Sequence, residues 1–98
     1  MIQDVYMKVN DNSNIDEVKN KILDSLNTYK RSRFIFDATE GSVSIASMKK
    51  LKVVFDENKE LVEKKLEETC IVLSGGITKK IVSFFIGSVK TIRPVRIL

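Results

Sequence analysis

Residues Phe34-Ile35-Phe36-Asp37-Ala38 place apolar side chains on both alternating faces of an extended segment and deliver a carboxylate at its end. The polar bend Thr39 to Ser47 follows and opens into a long amphipathic run. A strand that is apolar on both faces is the pattern of a central strand covered on both sides. In open α/β sheets, the loops just outside the carboxyl ends of strands are where ligands and partners are met. The segment therefore predicts a fold class and nominates a working surface, without naming what that surface meets.

The remaining chain alternates in the same sense. Ile2 to Asn10 has Val5, Met7 and Val9 on one side and Tyr6, Lys8 and Asn10 on the other, the period of a half-buried strand at a sheet edge. Asp11-Asn12-Ser13-Asn14 supplies turn and N-cap residues, and Asp16 and Glu17 then complement the dipole of a first helical turn. Ile15, Val18, Ile22, Leu23, Leu26 and Tyr29 form the apolar stripe of that helix. A second helix is expected from about Ala46 to Glu67, through Met48, Leu51, Val54, Phe55, Leu61, Val62 and Leu66. About 33 Å of unbroken helix is long for one small domain, so a bend or break is expected near Asn58. Thr69 to Ser74 reads as another doubly apolar strand, Gly75-Gly76 as a turn, Ile77 to about Val89 as a third helix, and Val95 to Leu98 as a last strand. Pro94 cannot donate to a ladder and belongs at a strand start or on an edge.

The expected fold is one α/β domain spanning residues 1–98, β-α-β-α-β-α-β, with a four-stranded, mostly parallel sheet. If the strands lay in the order 1-2-3-4 with right-handed crossovers, every helix would cover one face. The other face would then expose Ile35 or its neighbours, so either the order reverses once or a partner subunit covers that face.

Composition narrows the function classes. The chain has 98 residues, 43% hydrophobic and 31% charged, with no apolar run long enough to cross a bilayer, and a soluble, cytoplasmic protein is expected. The lone Cys70 reads as a small buried hydrophobe. Net charge is +4, but residues 69–98 carry +5 and residues 1–68 carry −1. A one-sided basic end suits phosphates, an anionic membrane surface or an acidic partner, or serves only as a solvated face. With no histidine, a buried cysteine and no carboxylate pair on adjacent loop ends, catalysis is not expected, and no metal or other cofactor is implied. Strands without exposed aromatic pairs give no strong nucleic-acid signal.

The segment Phe34 to Leu51 resembles the region of anti-sigma-factor antagonists and other STAS domains that runs strand, Asp, loop, Asp-Ser-Ser-Gly, helix. Thr69 to Ser74, the apolar run after it and the closing Arg93-Pro94-Val95-Arg96-Ile97-Leu98 look like the second half of short STAS/SEC14-type domains. Where regulated members of that family carry Asp-Ser-Ser-Gly, this chain has Ile45-Ala46-Ser47-Met48, so Ser47 alone matches the phosphorylated serine. The resemblance implies a non-catalytic regulatory or protein-interaction module that docks a partner at the loop after the second strand and the start of the second helix.

On the residues themselves, Asp37, Thr39, Ser44 and Ser47 are the candidates for partner binding or a phospho-switch. A phosphate on Ser47 would meet free N–H groups at a helix N-terminus. The plainer alternatives are that Ser42, Ser44 or Ser47 only caps the second helix, and that Asp37 only orients its loop. Ser74, Gly75, Gly76 and Lys79 are the candidates for a small anionic or lipidic ligand, since two glycines permit close backbone approach. If the second and third strands are neighbours, Asp37, Thr39, Ser47, Ser74 and Gly75 converge on one crevice. The third helix carries more apolar residues than one stripe needs. Its excess, flanked by Lys79, Lys80 and Lys90, can face a partner or lipid or be buried within the fold. A homodimer through the uncovered sheet face is a third possibility.

Overall fold

The structure is a computed structural model that describes residues 1–40, 44–73 and 94–97. Its elements are β1 (Gln3–Lys8), α1 (Ile15–Thr28), β2 (Ser32–Ala38), α2 (Ile45–Glu57), α3 (Lys59–Lys65), β3 (Leu66–Leu73) and β4 (Val95–Ile97). The strands form one sheet in the order β1-β2-β3-β4, every neighbouring pair parallel. The α/β class and the adjacency of β2 and β3 therefore hold, and the order does not reverse. The expected turn at Gly75-Gly76 and third helix at 77–89 lie outside the described residues.

Local chemistry explains the boundaries. Asn14 caps α1, its Oδ1 accepting from the N–H groups of Asp16 at 2.9 Å and Glu17 at 3.3 Å, two donors that the first turn leaves free. The break expected near Asn58 is present between α2 and α3. Asn58 N–H donates to Phe55 O at 3.2 Å and its side-chain amide donates to Val54 O at 2.8 Å, satisfying carbonyls at the end of α2. Pro94 immediately precedes β4 on the sheet edge, and its carbonyl accepts from Thr69 N–H at 3.0 Å.

β3 starts at Leu66, earlier than the helical spacing Val62–Leu66 suggests. Ser32 pairs with Leu66 and Arg33 with Glu68, so Glu67 is an extra residue at a bulge. The bulge turns both Leu66 and Thr69 toward the core, where each is fully buried. One apolar position thus satisfies a helical period before it and a bulged strand after it.

Among the described residues the core lies on one face. Val5, Met7, Phe34, Phe36, Ala38 and Ile71 from the sheet meet Val18, Ile22 and Leu26 of α1, Met48, Leu51, Val54 and Phe55 of α2, and Val62 of α3. At its centre Phe34, Phe36 and Phe55 contact one another with ring centroids 6.1, 6.2 and 6.2 Å apart in tilted or edge-on geometry, the arrangement that aromatic quadrupoles favour.

On the opposite face β2 presents Arg33, Ile35 and Asp37. Ile35 is only half-buried, and no described helix packs over it. Three levels of side chains stand there: Asp4, Arg33 and Glu68; then Tyr6, Ile35, Cys70 and Arg96; then Lys8, Asp37 and Val72. Charge ties the first level together. Arg33 Nη1 donates to Asp4 Oδ1 at 3.3 Å, and Arg33 Nε lies 2.8 Å from Glu68 Oε1 as an ion pair not aligned as a hydrogen bond. Arg96 Nη2 donates to Glu68 Oε1 at 2.9 Å and contacts Cys70 Sγ at 3.7 Å. Cys70 is buried as expected, but beneath an arginine rather than among hydrophobes alone.

Two outcomes follow for stability, both readable from urea midpoints. Phe55→Ala removes one ring of the aromatic trio and is expected to cost about 3–5 kcal/mol. Thr69→Val is expected to stabilise by about 1 kcal/mol, because Thr69 Oγ1 is fully buried without a hydrogen-bond partner and valine keeps its shape.

Candidate functional site

Parallel strands bring the loops after β1 and β2 out at the same edge of the sheet, and the serine-rich start of α2 opens there. Ser44 is the N-cap of α2, its Oγ accepting from Ser47 N–H at 3.3 Å. Across from it stands Asp11 of the β1–α1 loop. Asp11 Oδ1 accepts from Ser44 N–H at 2.8 Å and from Ser47 Oγ–H at 2.6 Å. One carboxylate oxygen therefore joins two loops more than thirty residues apart in the chain. The Ser47 hydroxyl, its backbone N–H and the Ser44 cap form a closed cluster around it, with Ser44 Oγ and Ser47 Oγ 3.4 Å apart.

Asp37 stands apart. Its Oδ1 accepts from Thr39 N–H at 2.9 Å and from the Thr39 hydroxyl, the local turn that an aspartate at a strand end commonly makes. Asp37 lines an open groove of about 510 Å³ with Tyr6, Lys8, Glu17 and Lys21. Ser47 lines a different and tighter cleft, about 40 Å³, with Asp11, Ile15, Met48 and Leu51. Asp37 and Ser47 thus line different spaces, with Val18 bordering both. Ser74, Gly75, Gly76 and Lys79 lie outside the described residues. The capping reading of Ser44 and the loop-orienting reading of Asp37 both hold.

Electrostatics follow the same geometry. The Asp11 carboxyl is held below its ordinary value of 3.8, first by the Ser47 hydroxyl and then by the Ser44 side chain and N–H, since all of these bonds favour the charged form. The Asp37 carboxyl is lowered as well, mainly by the Thr39 hydroxyl and N–H, with a smaller contribution from Lys8. Among the described residues no three His, Cys, Asp or Glu side chains gather as a metal site, and no helix is long and apolar enough to cross a membrane.

Asp11 is the site residue that sequence reasoning passed over, as one of four turn formers. Its role depends on a contact with no local signature. The usable signal was topological: an aspartate in the loop after a strand parallel to β2 emerges beside the loop that follows β2. Compared with known proteins, the chain matches no family, no curated protein and no solved structure.

The Asp11 bonds predict a pH dependence of defined sign. A carboxyl whose folded pKa is depressed contributes stability that is fully present above its unfolded value and lost as pH falls through its folded value. Asp11→Asn is expected to lower the urea midpoint at neutral pH. The difference between wild type and variant should shrink as pH falls below the ordinary 3.8. A difference that stays constant across that range would show that Asp11 contributes no charge-dependent stability.

Proposed function

We propose that this chain is a non-catalytic regulatory or protein-interaction module of STAS-like fold, docking a protein partner at the rim formed by the β1–α1 loop, the loop after β2 and the start of α2. The supporting observation is the Asp11–Ser44–Ser47 cluster. It sets the position of the β1–α1 loop against α2 through hydrogen bonds to one oxygen, and it places a half-buried serine hydroxyl at the hinge between them.

Ser47 is the natural switch in this reading. Esterification of its Oγ by phosphate removes the proton donated to Asp11 and sets a group of about −2 charge against a carboxylate. Repulsion then separates the two loops, while the first-turn N–H groups of α2 remain a favourable place for the phosphate. The rim therefore has two states that differ in shape as well as charge, which is what a partner needs to discriminate them.

The test compares proteins retained by the immobilised wild-type chain from a lysate of its own cells with those retained by Ser47→Asp, Asp11→Asn and Lys30→Ala. Lys30 follows α1, outside the rim, and serves as the control. The reading expects a partner that wild type and Lys30→Ala both hold and that Ser47→Asp and Asp11→Asn release at least about tenfold more readily, a difference of about 1.4 kcal/mol. Retention indifferent to both rim substitutions would reject this docking surface.

A further inference from the structure

We propose that the sheet face opposite the core, which carries no helix among the described residues, is a self-association surface on β1 and β2, and that its occupant is a second copy of this chain related by a two-fold axis. The observation is the charge pattern on β1 and β2. On β1 that face reads Asp4, Tyr6, Lys8, and on β2 it reads Arg33, Ile35, Asp37, in register. Each strand carries opposite charges at its two ends with an apolar residue between them, and the two strands run in opposite electrical sense. The four charges form a checkerboard around Tyr6 and Ile35.

A checkerboard of this kind is complementary to itself. Take a two-fold axis lying between two stacked sheets, perpendicular to the strands and level with Tyr6 and Ile35. It sets each strand over its own copy running the other way. Asp4 then faces Lys8 of the second copy, Arg33 faces its Asp37, and Tyr6, Ile35, Cys70 and Arg96 meet their own counterparts, with the charge of each Arg96 met by Glu68 of its own chain at 2.9 Å. Isologous contacts require this, since the same patch must serve on both sides. Sheets stacked about 10 Å apart bring such facing side chains within reach.

Exposure agrees with the assignment. Tyr6 is 63% exposed, more than the other large hydrophobic residues described within helices and strands. The side chains of Asp4 and Lys8 are 40% and 67% exposed, so both can turn toward a second copy. Lys8 also meets Glu40 at 3.4 Å, an exposed pair of the kind that exchanges partners at little cost.

The other geometry open to a strand-bearing surface is disfavoured. At the β1 edge, Gln3 and Val9 direct their N–H groups to β2, so the carbonyls of Asp4 and Tyr6 point outward. Both are already occupied: Lys21 Nζ donates to Tyr6 O at 2.7 Å and the Gln3 side chain donates to Asp4 O at 3.2 Å. Side-chain occupation of these two acceptors hinders strand addition at the β1 edge.

Sedimentation equilibrium on the whole chain, from about 10 µM to about 1 mM, tests the proposal. A weak dimer is expected whose dissociation constant rises in about 0.5 M salt, where exposed charges are screened. Asp4→Lys should weaken it at least about tenfold, because each substitution acts twice per dimer. The double reversal Asp4→Lys with Lys8→Asp restores the facing pair and should recover much of the loss, which a change confined to one chain would not produce. Tyr6→Ser, at an exposed position, should weaken association with thermal unfolding of the monomer unchanged. A chain that stays monomeric to about 1 mM, or a dimer indifferent to Tyr6→Ser and to both charge variants, overturns the proposal.

Discussion

Every feature of this molecule depends on the strand order β1-β2-β3-β4 with parallel neighbours. A parallel connection must cross over, and right-handed crossovers in an unreversed order deposit their helices on one face. That face collects the aromatic trio Phe34, Phe36 and Phe55 and the buried apolar side chains of the described helices. The other is left to manage without a described helical layer. It does so with charge: Asp4, Arg33, Glu68 and Arg96 link four strands in a chain of ion pairs. Such pairs contribute little individually when exposed. Their effect is to set charged groups across the strands of that face, with Arg96 lying against Cys70.

The same order has a consequence for binding. Ligand crevices in open α/β sheets arise where strand order reverses and adjacent loops diverge to opposite faces. Here nothing reverses among the described strands, so topology by itself opens no crevice at the carboxyl edge. What this edge has instead is a closed junction, the Asp11 carboxylate bonded to Ser44 and Ser47. A junction held by a few polar bonds can be opened by altering one atom's charge, whereas a preformed cleft is altered mainly by filling it. That distinction is why the regulatory reading fits this edge better than a ligand site built on the same residues.

Much of this was legible in the residues, for identifiable reasons. β1 and β2 announce themselves because two-residue alternation is local, and the side assigned to Val5 and Met7 against Tyr6 and Lys8 is the side found. The break at Asn58 was legible because an unbroken helix from Ala46 to Glu67 would be long for one small domain. The start of β3 was not, because Leu66 fits a helix period from Val62 and the bulge at Glu67 has no sequence mark. Ile35, apolar enough to imply a second layer, is half-buried between Arg33 and Asp37, which belong to an ionic face. Asp11 escaped for a deeper reason. A turn former and a tertiary hydrogen-bond acceptor are the same residue type, and only the fold shows which donors arrive.

Placement of the two surfaces follows from these points. The rim is set by loops at the carboxyl edge, and the checkerboard by strand residues pointing away from the helices. Lys8 and Asp37 adjoin both, at the last level of the sheet before the loops begin, and Lys8 contributes to holding Asp37 ionised. A second copy seated on the checkerboard would draw Lys8 toward Asp4 of its mate and away from Glu40 at the start of the loop after β2. Coupling between the two proposed surfaces would need no long path, since Lys8 stands at their boundary with acidic groups on both sides.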